Sequence, residues 1–303
     1  MLTKKRIILL AILIFVCVIT PVMGTCRKET AEAGQSMQVI TIWQIDGFEG
    51  GKGSRAQFLQ NKADSLFRKS KTYAVVTAIS AEAARANLKG GNVPDIISYQ
   101  AGFYGLDGFI NAVDFAYKTW CRGGYCLLCV DGNGDFSDAS PQNTVINTGK
   151  ENLYKAAALL TGLNGAAELS GASAYVQLIN GKYKYLLGTQ RDVYRLVTRG
   201  VSYQIKAITQ FNDLYQNVSI LSKDAAKYSA CKTFVEYLVK ECDDYDKIGL
   251  FKDGATLYSD SLRQMENLTF ECALKSFVSE SFFAQINTAA ENGDINMLKT
   301  LLK

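Results

Sequence analysis

The sequence predicts an α/β fold in which parallel strands alternate with helices, and two stretches carry that reading. The first runs from Tyr73 to Gly105. Its segment Tyr73-Ala74-Val75-Val76-Thr77-Ala78-Ile79 is β-branched and nearly all apolar, as expected of a strand buried on both faces. An alanine-rich helix, a Gly-Gly turn and the strand Val93-Pro94-Asp95-Ile96-Ile97-Ser98-Tyr99 follow, which completes a βαβ unit. The second stretch, Gln38 to Ile45, makes an earlier strand ahead of a glycine-rich loop and a helix. Ligands of such sheets collect beyond the carboxyl ends of the strands, so the loop from Tyr99 to Gly105 is a candidate binding edge.

Each element has its own local reason. Ser54 and Gln57 have capping-box spacing, and Ala56, Leu59, Ala63, Leu66 and Phe67 recur at helical intervals behind them. Ser80 can cap the next helix, with Glu82 in the first turn where the helix dipole favours an anion. Gly90-Gly91 ends that helix and Pro94 prevents its continuation. Thr148 and Glu151 form a second capping-box pattern ahead of Leu153, Ala156, Ala157 and Leu160, and Gly162 stops the helix. From Ala174 to Tyr185 the pattern predicts two strands joined at Asn180-Gly181, the dipeptide that best tolerates a tight hairpin turn. Cys231, Phe234, Val235, Leu238 and Val239 mark the apolar face of a helix begun by Ser222, and the last helices, from Ser261 to Lys303, are punctuated at Gly293-Asp294.

The chain has 303 residues and 48% hydrophobic composition, enough for two modest lobes or one large domain. Its 33 basic and 29 acidic residues leave a formal charge of only +4, which gives no footing for nucleic-acid binding. Histidine is absent, which removes the usual general base and the usual zinc ligand. Residues 1–24 have the form of an export signal, with Lys4-Lys5-Arg6 followed by the apolar run Ile7 to Ile19; residues 25–35 are a polar linker. Two fates compete, cleavage after Gly24 or lipidation of Cys26 behind a degenerate lipobox. Seven cysteines remain after the signal, and Cys121, Cys126 and Cys129 read as small buried side chains, since no histidine or second Cys-x-x-Cys completes a metal site.

Two motifs are decoys. The loop Gly47 to Ser54 superficially resembles a phosphate-binding loop, but Asp46 stands where its first glycine would be and Gly53 where its Ser/Thr would be. Asp131-Gly132-Asn133-Gly134-Asp135 begins like a calcium loop but lacks the sixth-position glycine and the twelfth-position glutamate. No cofactor or metal is expected. Aromatic rings at strand ends beside amides and charges suit a sugar, whose C–H face packs on a ring while its hydroxyls need polar partners. Trp43, Phe48 and Tyr99 are such rings, and Asp46, Gln100, Gln190 and Arg191 are polar residues so placed.

Taken in order, the export signal, the QVITIW strand, the Gly-rich loop, the YAVVTAI and PDIISY strands, the Gly123-Gly124-Tyr125 crossover and Asn180-Gly181-Lys182 resemble the family 1 extracellular solute-binding proteins of ABC importers, typified by maltose-binding protein. The resemblance implies a two-lobe periplasmic-binding-protein-like (type II) fold with a hinge between the lobes. Lobe one is expected at 36–118 and 206–242, and lobe two at 119–205 and 243–303. It implies ligand contacts at Trp43, Asp46 and Phe48, at Tyr99 and Gln100, and at Gln190 and Arg191. The expected function is a non-enzymatic receptor that delivers a small solute, a carbohydrate, to an ABC transporter permease, on the outer face of the cell membrane and touching it only through a lipid on Cys26. The alternatives are a shortened receptor or sensor input that transports nothing, and a hydrolase working through Asp46 and Glu49.

Overall fold

Gln38–Ile45 (β1) is central because it is apolar on both faces: Ile40 and Ile42 are fully buried on one side, and Trp43 and Ile45 are buried on the other. It pairs in parallel with Thr72–Ile79 (β2) and Ile96–Gln100 (β3), with helices Arg55–Ser70 (α1) and Ala81–Lys89 (α2) as the connections. Lys118–Arg122 (β4) and Tyr215–Ile220 (β10) complete the first sheet, in the order β2-β1-β3-β10-β4, with β10 antiparallel to both neighbours. The structure is a computed structural model that describes residues 38–45, 55–70, 72–110, 117–130, 135–148, 153–244, 268, 274 and 278–303, all within one compact unit, Gln38–Lys303.

The second sheet has the order β7-β6-β8-β5-β9, built from Tyr125–Cys129 (β5), Thr144–Thr148 (β6), Ala167–Ser170 (β7), Tyr185–Thr189 (β8) and Gln204–Ala207 (β9). Its helices are Tyr154–Leu160 (α3), Ala172–Ile179 (α4) and Gln190–Thr198 (α5). Ala225–Asp244 (α6) returns to pack on the first sheet and on α1, whereas Glu280–Glu291 (α7) and Ile295–Leu301 (α8) pack on α3. Two α/β lobes result, as expected of the fold class. The chain passes between the sheets at Gly123-Gly124 and again through residues 208–214. These two crossings are bonded to each other: Asn212 Nδ2 donates to Gly123 O at 2.9 Å and the Gly123 amide donates to Leu214 O.

Several local expectations hold. Ser80 accepts from the Ala83 amide, Gly91 takes the positive φ that ends α2, and Gly162 does the same after α3. Asp294 caps α8 through the Met297 amide. Cys121, Cys126, Cys129 and Cys231 are buried, as small apolar side chains should be.

Four expectations are corrected. The Tyr73–Ile79 run is an edge strand, with Tyr73 and Val75 about two-fifths exposed; β-branching favours a strand wherever it sits, so the run itself does not fix which neighbours cover it. Its outer edge is met by Gln60 of α1, whose Nε2 donates to Ala74 O at 3.1 Å and whose Oε1 accepts from the Val76 amide at 3.0 Å. Residues from Ala174 are helical, not a hairpin: Ala174, Tyr175 and Leu178 bury one face of α4, and Gly181, at φ 70°, takes the chain out of a helix. Thr148 ends β6, and the N-cap of α3 is Leu153, without a side-chain cap. Asp224, not Ser222, caps α6, through the Lys227 amide at 2.9 Å.

Candidate functional site between the two sheets

Topology brings one edge of each sheet to the crossings. The first sheet meets them with the carboxyl ends of β1, β3 and β4 and the start of β10, and the second with the carboxyl ends of β6 and β8 and the start of β5. In an α/β sheet this is the edge where ligands bind.

At this edge of the first sheet, side-chain alternation separates an apolar end of one face from a polar end of the other. Trp43, Ile97 and Tyr99 point to α2, where they join Ala84, Leu88 and Phe103 in one cluster. Trp43 is 9% exposed, and the fully buried Tyr99 hydroxyl is hydrogen-bonded with Ser219 Oγ at 2.9 Å. Both rings therefore sit in core packing. The opposite face holds Gln44, Ser98, Gln100 and Gln216, all buried. Gln216 Nε2 donates to Ile45 O at 3.0 Å and to Ser98 Oγ at 3.3 Å, Trp120 Nε1 donates to Ser98 Oγ, and Gln44 Nε2 donates to Ile45 O. Gln216 Oε1 has no hydrogen-bond partner among the described residues.

On the second sheet, Thr189 caps α5 and forms a capping box with Asp192, which places Gln190 and Arg191 in the first turn. Gln190 is fully buried; its Oε1 accepts from the Gly124 amide at 3.2 Å, inside the first crossing, and its Nε2 has no partner among the described residues. Arg191 is half-buried beside it. Behind them burial pushes the Asp192 carboxyl up, while Asn147 Nδ2, Arg195 and the Thr189 amide all donate to it. Gly188 leaves room for that carboxylate: a Cβ there would lie 2.5 Å from Asp192 Oδ2.

The second crossing contributes Asp213, which is 1% exposed. Its Oδ1 accepts from the Tyr125 hydroxyl at 2.7 Å and its Oδ2 from the Leu153 amide at 2.6 Å, so one carboxylate joins the crossing, the first strand of the second sheet and the start of α3. Burial drives its pKa up to about 6 against these two donors. A further contact spans the lobes: the Tyr104 ring, beneath the Arg85 guanidinium, lies 5.4 Å from the Phe283 ring of α7.

Of the residues expected to bind ligand, the structure therefore brings Gln100, Gln190 and Arg191 to the facing edges and packs Trp43 and Tyr99 into the core. Asp46, Phe48 and Cys26 lie outside the described residues. Sequence reading missed Gln216 and Asp213. Their signal was present: Gln216, Asn217 and Ser219 are polar residues inside a strand whose every position is buried, and Asp213 lies two residues ahead of it. Cavities of about 480 and 420 Å³ lie at the far end of the first sheet, around Phe109, Leu221 and Lys223. Of the two acidic residues lining the second cavity, Asp224 caps α6 and Asp95 is already engaged: burial raises its pKa, but Thr41 and Lys227 donate to it and hold it below the usual value.

No protein-family model and no curated protein sequence matches the chain. Solved structures do. The substrate-binding domain ascribed to a molybdenum ABC transporter of Clostridium difficile is 10% identical, with a TM-score of 0.50 over 70% of this chain and 97% of that one. A structure from work on xylan utilisation by the thermophilic bacterium Caldanaerobius polysaccharolyticus is 12% identical, with a TM-score of 0.52 over 87% of this chain and 98% of that one. The likeness extends over most of the chain at very low identity. The fold is thus the two-lobe, periplasmic-binding-protein-like α/β fold found in the substrate-binding proteins of ABC transporters.

Proposed function

We propose that the chain is an extracytoplasmic solute-binding receptor that takes a small carbohydrate-type ligand between its lobes and presents the closed form to an ABC permease. One observation carries the reading: buried amides and hydroxyls gather on facing sheet edges that are joined by two mutually bonded crossings. Such a hinge lets each lobe move as a unit, and neutral hydrogen-bonding groups suit ligand hydroxyls. Gln100 from the first lobe and Gln190 and Arg191 from the second form the described part of the contact set, to which this reading adds Asp46 and Phe48, next in sequence after β1. The buried rings of Trp43 and Tyr99 stiffen the wall behind it. Export by residues 1–24 and attachment through Cys26 accompany this role. Among the described residues no helix is long and apolar enough to cross a membrane.

Titration calorimetry of the exported protein against neutral and acidic saccharides, paired with small-angle scattering, tests the reading. The expected result is binding with a smaller radius of gyration. Arg191→Ala should weaken that binding by about 1 to 3 kcal/mol, the scale of a charged hydrogen bond at an interface. Tight binding with no compaction would sink the hinge mechanism.

A further inference from the structure

The orientation of two buried amides bears on which solute the site takes, and this inference rests on the receptor reading above. The oxygen and nitrogen of a glutamine amide are assigned from their neighbours, and here backbone groups decide both cases. Gln190 must turn its Oε1 to the Gly124 amide, which leaves Nε2 as a donor. Gln216 must turn its Nε2 to Ile45 O, which leaves Oε1 as an acceptor. Both side chains are fully buried, and neither remaining group has a partner among the described residues. A buried polar group without a partner costs free energy, so each is a place that a ligand atom of the complementary kind can satisfy.

The surroundings of Gln190 favour an acceptor that carries charge. Gln190 is the first residue of α5, a nine-residue helix whose amino-terminal end is electropositive, and Arg191 is the second. Among the described residues, Asp192 is engaged by Arg195, Asn147 and the Thr189 amide, and Asp213 by Tyr125 and the Leu153 amide. We infer that the solute is a hydroxylated carboxylate of the sugar-acid class, its carboxylate held by Gln190 Nε2 at the start of α5 and one of its hydroxyls donating to Gln216 Oε1. The site then has a polarity, with the acidic end of the ligand on the second lobe and the hydroxyl end on the first.

Titration calorimetry of the full exported chain against matched pairs tests this, using glucuronate with glucose and galacturonate with galactose. The acids should bind, with the neutral partners weaker by about tenfold or more, as expected when a charged hydrogen bond is lost. Gln190→Glu keeps an acceptor for the Gly124 amide but replaces the donor by a second acceptor. It should abolish acid binding. Gln190→Met, which removes the donor without adding charge, should weaken the acids by about tenfold and provides the comparison if the Glu variant fails to fold. Neutral sugars that bind as tightly as the acids, or acids that bind equally to folded Gln190→Met, would overturn the inference and leave the receptor reading standing. If no sugar of either kind binds, and denaturing the exported protein releases no small molecule to mass spectrometry, the receptor reading falls and this inference with it.

Discussion

Asp213→Asn should make the protein more stable at neutral pH, although it removes a carboxylate that accepts two hydrogen bonds. The folded-state pKa of Asp213 is raised to about 6 from an ordinary value of 3.8. The folded chain therefore holds this proton more tightly than the unfolded chain does. Stability linked to the group is fully present below about pH 4 and is lost as pH rises through about 6. Each pH unit of offset is worth 1.36 kcal/mol, so ionised Asp213 costs about 3 kcal/mol at pH 8. Asparagine has the same shape, its oxygen can accept from the Leu153 amide, and its amide can donate to the Tyr125 oxygen. Urea denaturation of both proteins from pH 4 to pH 8 gives the assay, and the difference between them isolates this residue from every other titrating group. The difference should be near zero at pH 4 and reach about 3 kcal/mol in favour of the variant above pH 6. A difference independent of pH, or a variant less stable at pH 8, would refute the assignment of strain to this carboxylate.

Trp43→Ala should lower stability by about 3 to 5 kcal/mol, the cost of emptying a buried aromatic site, and leave the ligand affinity of the folded fraction unchanged in calorimetry. An affinity loss without a fall in melting temperature would instead put Trp43 in contact with ligand. Gly188→Ala forces a methyl group onto Asp192 Oδ2 and disturbs the bonds to Asn147 and Arg195. A loss of about 3 kcal/mol in chemical denaturation is expected, on the scale of breaking a buried ion pair.

The parts of this fold that were legible in the sequence are those dictated locally. Ser80, Gly91 and Gly162 act within one or two turns of chain, and the apolar stripe of α6 declares its own burial. The Gly123-Gly124 crossing came only from the family resemblance, since adjacent glycines by themselves do not mark one: Gly90-Gly91 merely ends α2. What was not legible depends on partners distant in sequence. Tyr73–Ile79 looks like a central strand because its composition cannot say how many neighbours it has. Asn180-Gly181 suits a hairpin and a helix end equally, and the choice falls to the packing of Tyr175 and Leu178. At the site, Gln100 and Gln190 were visible as polar residues at strand ends. Which face each ring takes was not, since a shift of one residue in alternation moves Trp43 from cleft to core.

The side chain of Gln60 has a bearing on how the molecule behaves in company. A peptide unit of a neighbouring strand would offer β2 one N–H and one C=O, and the carboxamide of Gln60 offers the same pair to Ala74 and Val76. The protein thus carries an imitation of one more strand on the margin of its first sheet. That margin is otherwise a long uncharged segment with Tyr73 and Val75 outward, the kind that recruits other chains. One side chain from a helix therefore occupies, on that margin, a place where the backbone of another molecule would otherwise pair.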